Sequence, residues 1–386
     1  MSGLLLLFAA SLAACAYPYL GYPVILWIRS RLECRPVRKA DVRPFVTVII
    51  PVRNEGCLIG RKLHNTLELE YPRDRLEVLV VSDGSSDRTH EIVRSFWEAS
   101  VRLIPLPHCG KGRALNVGAR EAQGDILVFT DADIAIEPGC LARLVQNFAD
   151  PEVGGVCGNK LYRPVTGGDG TGTGEGIYWT FDKWQKRLES RAGSVFGADG
   201  ALHAIRRELY VPIEDPSHAD DLAISARVVL QGRRLVFEPG ALTSEEEPAD
   251  AREEFRRKVR IANQSFRALL GLRGGLWRHG FYSVQLVSHK LLRYLVPFFL
   301  PPLFVSSLLL SGRAPAFAAL FGAQAIVYGL GAAGFLLRGT RPGRWSLFAV
   351  PFFFCLVNVA ALLGILSVLK GRRQATWATR SSVEVT

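Results

Sequence analysis

Apolar positions fall into two regimes along this chain. From Leu4 to Ile28 they run almost unbroken and uncharged, about 25 residues, enough to cross a bilayer as a helix. No basic residue precedes the run, and it is too long for the apolar core of a cleaved leader, so it reads as a transmembrane helix. Three later runs, about Leu291–Leu310, Pro315–Leu337 and Leu347–Leu369, read the same way. Pro297, Pro301 and Pro302 predict a kink or a re-entrant turn in the first of them. Leu276–Lys290 is amphipathic and is expected to lie along the membrane interface.

Between these runs the pattern changes to short β-branched segments alternating with stretches of helical period. Phe45–Ile50, Leu76–Val81, Val101–Leu106 and Ile126–Thr130 read as buried strands. Helices are predicted up to about Leu69, over Glu91–Ala99 and over Ala114–Ala122. That alternation predicts an α/β sheet with parallel strands whose ligands gather beyond the strands' carboxyl ends. Further on, Gly158–Arg163 reads as a strand and Leu222–Leu230 as a helix ending before Gly232. Gly167–Gly176 reads as a glycine-rich linker rather than a dinucleotide fingerprint, since it does not open a βαβ unit. Ile177–Arg191 is an aromatic helix whose Tyr178, Trp179, Phe181 and Trp184 either pack or stack on the rings of a ligand. The expected organisation is a membrane helix at 1–28, a globular domain at 29–265 and an interfacial segment at 266–290. About three membrane helices follow at 291–370, then a tail at 371–386.

Charge orients this picture. Arg29, Arg31, Arg35, Arg38 and Lys39 follow the first apolar run, and the positive-inside rule puts that flank and the globular domain in the cytoplasm. Arg338, Arg341 and Arg344 place a later loop on the same side. The basic tail (Lys370, Arg372, Arg373) conflicts with an even number of spans, which leaves the topology past Leu347 open. The net charge is +11 and the mean hydropathy +0.15. With no helix-turn-helix or zinc-finger signature, the basic balance points to a membrane surface or a phosphorylated substrate and away from nucleic acid. Seven scattered cysteines without a C-x-x-C pair exclude a disulfide framework and fit a reducing compartment.

The chemistry sits in the loops that leave the predicted strands. Asp131 and Asp133 alternate to the same side of an extended segment, so they suit either a hard divalent cation or a simple turn. Asp83, in Ser82–Thr89, could accept hydrogen bonds from a base or ribose, or merely cap the following helix. Lys111 and Arg113 offer cations to a diphosphate, or are solvated loop charges. Asp220 and Asp221 stand at a helix N-terminus, where acids also complement the dipole.

Pro51-x-x-Asn54-Glu55, Ser82-Asp83-Gly84-Ser85-Ser86-Asp87, Gly110-Lys111-Gly112-x-Ala114-Leu115-Asn116 and Asp131-Ala132-Asp133 together resemble the inverting family 2 glycosyltransferases. The resemblance covers about residues 45–265, and the flanking spans are similar to those of membrane-embedded polysaccharide synthases. It implies a GT-A fold, a mixed sheet flanked by helices, and a nucleotide-diphosphate sugar donor. In that reading Pro51, Asn54, Glu55, Asp83, Lys111, Arg113 and Asp131 bind the donor, with Asp83 on the nucleoside. Asp133, together with Asp131, would ligate Mg²⁺ or Mn²⁺. Gly197–Arg207 resembles the acceptor-proximal segment, with Asp199 and Gly200 beside the acceptor. Asp221 corresponds to the catalytic base, with Asp220 where polymerising members carry Glu. Their Gln-x-x-Arg-Trp motif aligns with Arg257-Lys258-Val259-Arg260-Ile261, so Arg260 remains for the diphosphate while the stacking Trp is replaced by Ile. The implied enzyme is integral to a bacterial inner or plasma membrane. Its acceptor is a growing cell-surface polysaccharide or, alternatively, a polyprenyl phosphate or glycolipid.

Overall fold

The structure is a computed structural model of the chain, described here for residues 2–96, 100–163, 171–215, 218–246, 250–272 and 278–372. Helices α1 (Ser2–Ala16) and α2 (Tyr22–Leu32) come first, joined by a π-helical turn at Tyr17–Gly21. Strand β1 (Val46–Val52) leads to α3 (Gly56–Leu67), β2 (Leu76–Asp83), α4 (Thr89–Arg94), β3 (Val101–Leu106), α5 (Lys111–Glu121) and β4 (Ile126–Phe129). Then follow β5 (Ala135–Ile136), α6 (Cys140–Val145), β6 (Val153–Arg163), α7 (Thr171–Ala192), β7 (His203–Arg206), α8 (Asp220–Leu230) and β8 (Arg234–Glu246). The chain closes with α9 (Ala251–Gly271), α10 (Phe281–Gln285), α11 (Leu292–Leu310), α12 (Pro315–Leu336) and α13 (Ser346–Leu369).

Packing divides the chain into two units. One, Glu33–Arg163 with Glu189–Glu246, holds a single eight-stranded mixed sheet in the order β3-β2-β1-β4-β7-β6-β8-β5. Strands β3, β2, β1 and β4 are parallel neighbours, while β7 runs antiparallel to both β4 and β6. Every residue of β1 and β2 is buried, as expected for strands covered on both faces. The β-branched runs therefore become the two-sided core. Val48, Ile50, Val78, Val80 and Val128 form one layer with α3 and α6, and Ile49, Leu79, Val81, Leu127 and Phe129 form the other with α5 and α8. Helix α5 approaches closely at Gly118, where a Cβ would stand 2.8 Å from an Ile49 methyl. The strand order reverses between β1 and β4, which opens a crevice at their carboxyl ends.

His203 lies on β7 opposite Phe129 of β4 and stacks on its ring at a centroid distance of 5.0 Å. Only 2% exposed, it is a core residue, as a lone histidine on a strand's inner face is expected to be. Burial pushes its imidazole down to about 4, against the pull of the Asp220 and Asp199 carboxylates.

The other unit, Met1–Leu32, Pro164–Leu188 and Glu247–Arg373, is helical. Among the described residues, four of its helical stretches are long and apolar enough to cross a membrane: Ser2–Leu32, Phe281–Leu310, Pro315–Leu336 and Ser346–Leu369. They coincide with the four apolar runs of the sequence, except that the second starts at Phe281 rather than Leu291. The polar residues that interrupt the apolar pattern there have partners. His289 lies 3.1 Å and Arg293 3.4 Å from Oδ1 of Asp182 on α7, and Arg293 also donates to Gln185. Burial alone would raise the Asp182 pKa, but the nearby cations, Lys186 first, hold it well below the usual carboxylate range. Leu292–Leu310 remains helical through Pro297, Pro301 and Pro302. The segment 251–271, expected mostly within the globular domain, is grouped with the helices. The glycine-rich stretch also differs from expectation: Thr171–Gly176 is the first part of α7, while 164–170 lie outside the described residues. Tertiary contact overrides glycine's poor helix propensity there, since Glu175 accepts from Trp179 and pairs with Lys258 of α9 at 2.9 Å. The aromatics of α7 pack in part: Phe181 and Trp184 stack, and the Arg293 guanidinium lies over Tyr178 and Phe181.

Helices α9 and α13 meet at Gly364, where a Cβ would come within 2.7 Å of the Ala262 Cβ and 2.8 Å of the Val259 carbonyl. Gly364→Val is expected to destabilise the purified protein by about 1–3 kcal/mol. Gly329→Ala on α12, where a Cβ meets nothing within 4 Å, leaves it unchanged. Thermal unfolding in detergent compares the two.

His203 gives a pH prediction. Its folded pKa lies below the unfolded value of about 6.5, so its contribution is complete above that pH and is lost as pH falls toward 4. Stability should drop by up to roughly 3 kcal/mol across that window. His203→Phe, which keeps a ring against Phe129, should remove this one-proton slope from urea unfolding measured at pH 7.5 and 4.5.

Candidate active site

The candidate site is built from loops at the carboxyl ends of β1, β2 and β4, together with the first turn of α5, the segment before β7 and the start of α8. Each loop is fixed by a neighbour. Pro51 is the penultimate residue of β1 and is buried with the rest of the strand. Asn54 adopts φ 53°, a left-handed conformation that Asn tolerates better than most residues. Its Oδ1 accepts from the Ser86 amide at 2.8 Å and its own amide donates to the Ser85 hydroxyl. The Glu55 amide donates to Thr89 Oγ1, and the Gly56 amide to Asp87 Oδ2 at 2.9 Å. The loops after β1 and β2 are thus laced together by small polar side chains, which is what Pro-x-x-Asn-Glu and Ser-Asp-Gly-Ser-Ser-Asp accomplish locally.

Asp83 ends β2 with its side chain fully buried. Its carboxylate accepts from the Cys109 amide at 2.6 Å, the Gly110 amide at 3.0 Å and His108 Nδ1 at 2.9 Å. Burial would raise its pKa, but these donors together hold it below the usual carboxylate range. In this structure the Asp83 carboxylate therefore fixes the loop 108–110. His108 Nε2 faces Arg53 Nη1 at 3.2 Å, so Asp83, His108 and Arg53 form a chain in which His108 donates to Asp83 and accepts from Arg53. Neither His108 nor Arg53 stands out in the sequence. His108 just precedes Gly110-Lys111, and only the topology brings it to Asp83, 25 residues earlier.

Lys111, the first residue of α5, joins the donor side to the acid pair. Its Nζ lies 2.7 Å from Asp131 Oδ1 and 3.0 Å from Asp220 Oδ2. Burial would lower the Lys111 pKa, but the two carboxylates outweigh it and push it up. The same ion pair holds Asp220 low against the effect of burial. Arg113, two residues on, is exposed. Asp221 caps the same first turn of α8, its Oδ1 accepting from the Leu222 amide. Asp199 Oδ1 accepts from the Ala201 amide, and Gly200 separates two carboxylates. A Cβ there would stand 3.7 Å from Asp131 Oδ2 and 3.8 Å from Asp221 Oδ2. The missing side chain keeps this space open.

Asp131 and Asp133 fit a divalent cation. Both are partly exposed at the end of β4, they supply hard oxygen donors, and the face toward Gly200 is clear. No cluster of three or more His, Cys, Asp or Glu capable of closing a metal site occurs among the described residues. Such a cation would therefore take its remaining ligands from phosphate and water. Of the residues singled out in the sequence, Asp131, Lys111, Asp220, Asp221 and Gly200 converge. Pro51, Asn54, Glu55, Asp83 and Asp199 shape the surrounding loops. Arg260 lies on α9 in the helical unit.

Known proteins point the same way. Residues 47–211 match the family model for glycosyl transferase family 2. A probable glycosyltransferase, YdaM, of Bacillus subtilis is 32% identical over 241 residues, covering 57% of this chain and 54% of that protein. Poly-beta-1,6-N-acetyl-D-glucosamine synthase of Staphylococcus aureus is 28% identical over 222 residues, covering 56% and 53%. The chain thus spans about half the length of these relatives. Among solved structures, the mannosyltransferase PcManGT from Pyrobaculum calidifontis, in complex with GDP-Man and Mn²⁺, superposes with a TM-score of 0.68 at 27% identity. That match covers 92% of this chain and 99% of the other. Residues 47–211 of this chain thus match glycosyltransferase family 2, and the sheet that contains them is that of the GT-A fold.

Proposed function

We propose that this protein is a membrane-bound, inverting, metal-dependent glycosyltransferase. It moves a sugar from a nucleotide-diphosphate donor to a growing cell-surface polysaccharide, with its catalytic domain on the cytoplasmic side. One observation carries the reading: Asp131 and Asp221 face each other across Gly200, while Lys111 ties Asp131 to Asp220. Donor corner and acid pair are thereby neighbours in a single crevice.

The roles follow from the charges. Asp220 is spent on Lys111, which makes its carboxylate a poor base. Asp221 directs Oδ2 toward Gly200, where an acceptor hydroxyl can approach the backbone without meeting a side chain. Asp221 takes the hydroxyl proton as the oxygen attacks C1 of the sugar. The new C1–O bond forms as the bond from C1 to the diphosphate oxygen breaks on the opposite face, and the anomeric centre inverts. Asp131 and Asp133 would hold Mg²⁺ or Mn²⁺, which supplies positive charge to the departing diphosphate. Lys111 adds its ammonium beside the same corner, and the exposed Arg113 can reach donor phosphates.

A second reading is transfer of a single sugar to a polyprenyl phosphate or glycolipid. It is favoured by Ile261 at the position where polymerising relatives stack a Trp beneath the acceptor. Product size decides between the two: with membranes, Mn²⁺ and a panel of labelled nucleotide sugars, a polymer supports the first reading and a lipid-extractable monosaccharide product the second.

Asp221→Asn should lower kcat by about 10²–10⁴-fold with donor affinity nearly unchanged. Nucleoside diphosphate release at the wild-type rate would remove Asp221 from the base position. Gly200→Ala introduces only van der Waals contacts at 3.7 and 3.8 Å, so the protein should fold and bind donor normally. Its kcat/KM for acceptor should fall about tenfold or more, because the methyl occupies the space between the two carboxylates.

A further inference from the structure

Helix α3 carries a lysine on its buried face. Lys62 is 2% exposed, in line with buried Ile59, Leu63 and Thr66. A lysine is almost never fully buried without partners, and those of Lys62 are specific. Its Nζ donates to Thr130 Oγ1 at 3.0 Å and to the Ile134 carbonyl at 2.7 Å. These two residues bracket Asp131-Ala132-Asp133. The Thr130 hydroxyl passes the bond on, donating to the Ala201 carbonyl at 2.9 Å, next to Gly200. One ammonium thus connects α3, the carboxylate corner after β4 and the segment that lies between Asp131 and Asp221.

We propose that Lys62 is a positioning residue for the divalent-cation corner, fixing the backbone on both sides of Asp131 and Asp133 so that their oxygens converge on one ion. The inference rests on reading that corner as the cation site. Two carboxylates in one short turn repel, and within the turn the Ile134 amide reaches the Asp131 carbonyl at a long 3.4 Å. The Lys62 bonds hold its two ends from below. Asp131 and Asp133 act on Lys62 in return. Burial pushes its pKa down to about 7 against the attraction of both carboxylates. Groups that orient ligands from behind commonly change metal affinity 10- to 100-fold when removed.

The sign of the effect separates this role from its rivals. If Lys62 were only a nearby positive charge, its removal would tighten cation binding, because an ion repelled by the ammonium would gain. If Lys62 only filled the core, its removal would lower the melting temperature and leave cation affinity alone. A positioning role predicts weaker cation binding despite the lost positive charge.

The test is Mn²⁺ binding to the full-length protein in nanodiscs, followed by electron paramagnetic resonance with UDP or GDP present. Lys62→Met is expected to weaken Mn²⁺ binding about tenfold or more and to raise the donor KM more than it lowers kcat. Lys62→Gln, which keeps a neutral donor, should recover part of that loss. Thr130→Val removes the shared hydroxyl without touching the lysine, and should weaken Mn²⁺ binding severalfold even if Lys62→Met does not fold. Unchanged or tighter Mn²⁺ binding in Lys62→Met, or in Thr130→Val where Lys62→Met is lost, overturns the proposal. Asp133→Asn is the reference. If it too leaves Mn²⁺ binding unchanged, the reading of the corner as a cation site fails; if it alone abolishes binding, only the role of Lys62 does.

Discussion

Three carboxylates, Asp131, Asp220 and Asp221, are brought together by segments from two distant parts of the sequence, with Asp133 two residues beyond Asp131, and their mutual repulsion is the constraint the site must answer. Lys111 answers it. Placed at the first turn of α5, its ammonium reaches Asp131 on one side and Asp220 on the other. The three groups are only 24–36% exposed, so the interaction is less screened than a surface pair. Lys62 contributes a second amino group from the opposite layer of the sheet. In the proposed reaction a donor diphosphate entering this crevice would add negative charge to a place already crowded with it, which favours a cation there. The basic side chains and the carboxylates form one interacting set that remains net negative.

The loops around that set are rigid for a related reason. Asn54, Ser85, Asp87 and Thr89 form hydrogen bonds between the loops after β1 and β2. Asp83 binds the loop 108–110 through two amides and His108. None of these side chains needs a ligand to be held in place. A nucleotide would therefore meet a surface whose conformational entropy has already been lost on folding, which favours tight and specific binding.

Much of this was legible in the sequence. The first four strands could be read because β-branched runs buried on both faces have no other soluble use, and their loops carried Asp, Lys and Gly at recognisable spacings. The parts that could not be read share a different cause. Strand β5 is two residues long, with too little pattern to detect, and β8 mixes Glu and Pro with its apolar positions because it passes from the core to the sheet edge. The start of α7 was hidden by its glycines and is helical through the Glu175–Lys258 pair, a contact 83 residues apart. Lys62 reads as an ordinary polar position of an amphipathic helix, and only the location of Thr130 and Ile134 reveals what it touches. His108 and Arg53 are invisible for the same reason. Periodicity reports which face is buried, but says nothing about which polar group meets which.

The acid pair at the start of α8 shows what three-dimensional placement adds to a motif. In sequence, Asp220 and Asp221 are adjacent carboxylates that only the family resemblance tells apart, with Asp221 at the position of the base. One residue of helical advance rotates them by about 100°, and that rotation separates their chemistry. Asp220 turns to Lys111 and becomes a fixed anion, its proton affinity reduced by the ion pair. Asp221 turns toward Gly200, with one oxygen on the helix's own first turn and the other facing the gap that Asp131 borders from the far side. A base must keep an oxygen directed at the reacting hydroxyl, whereas a counter-ion must keep its charge on a cation. A single carboxylate cannot do both at once. In the proposed mechanism the pair divides these tasks, since an ammonium bound to the base itself would lower its proton affinity.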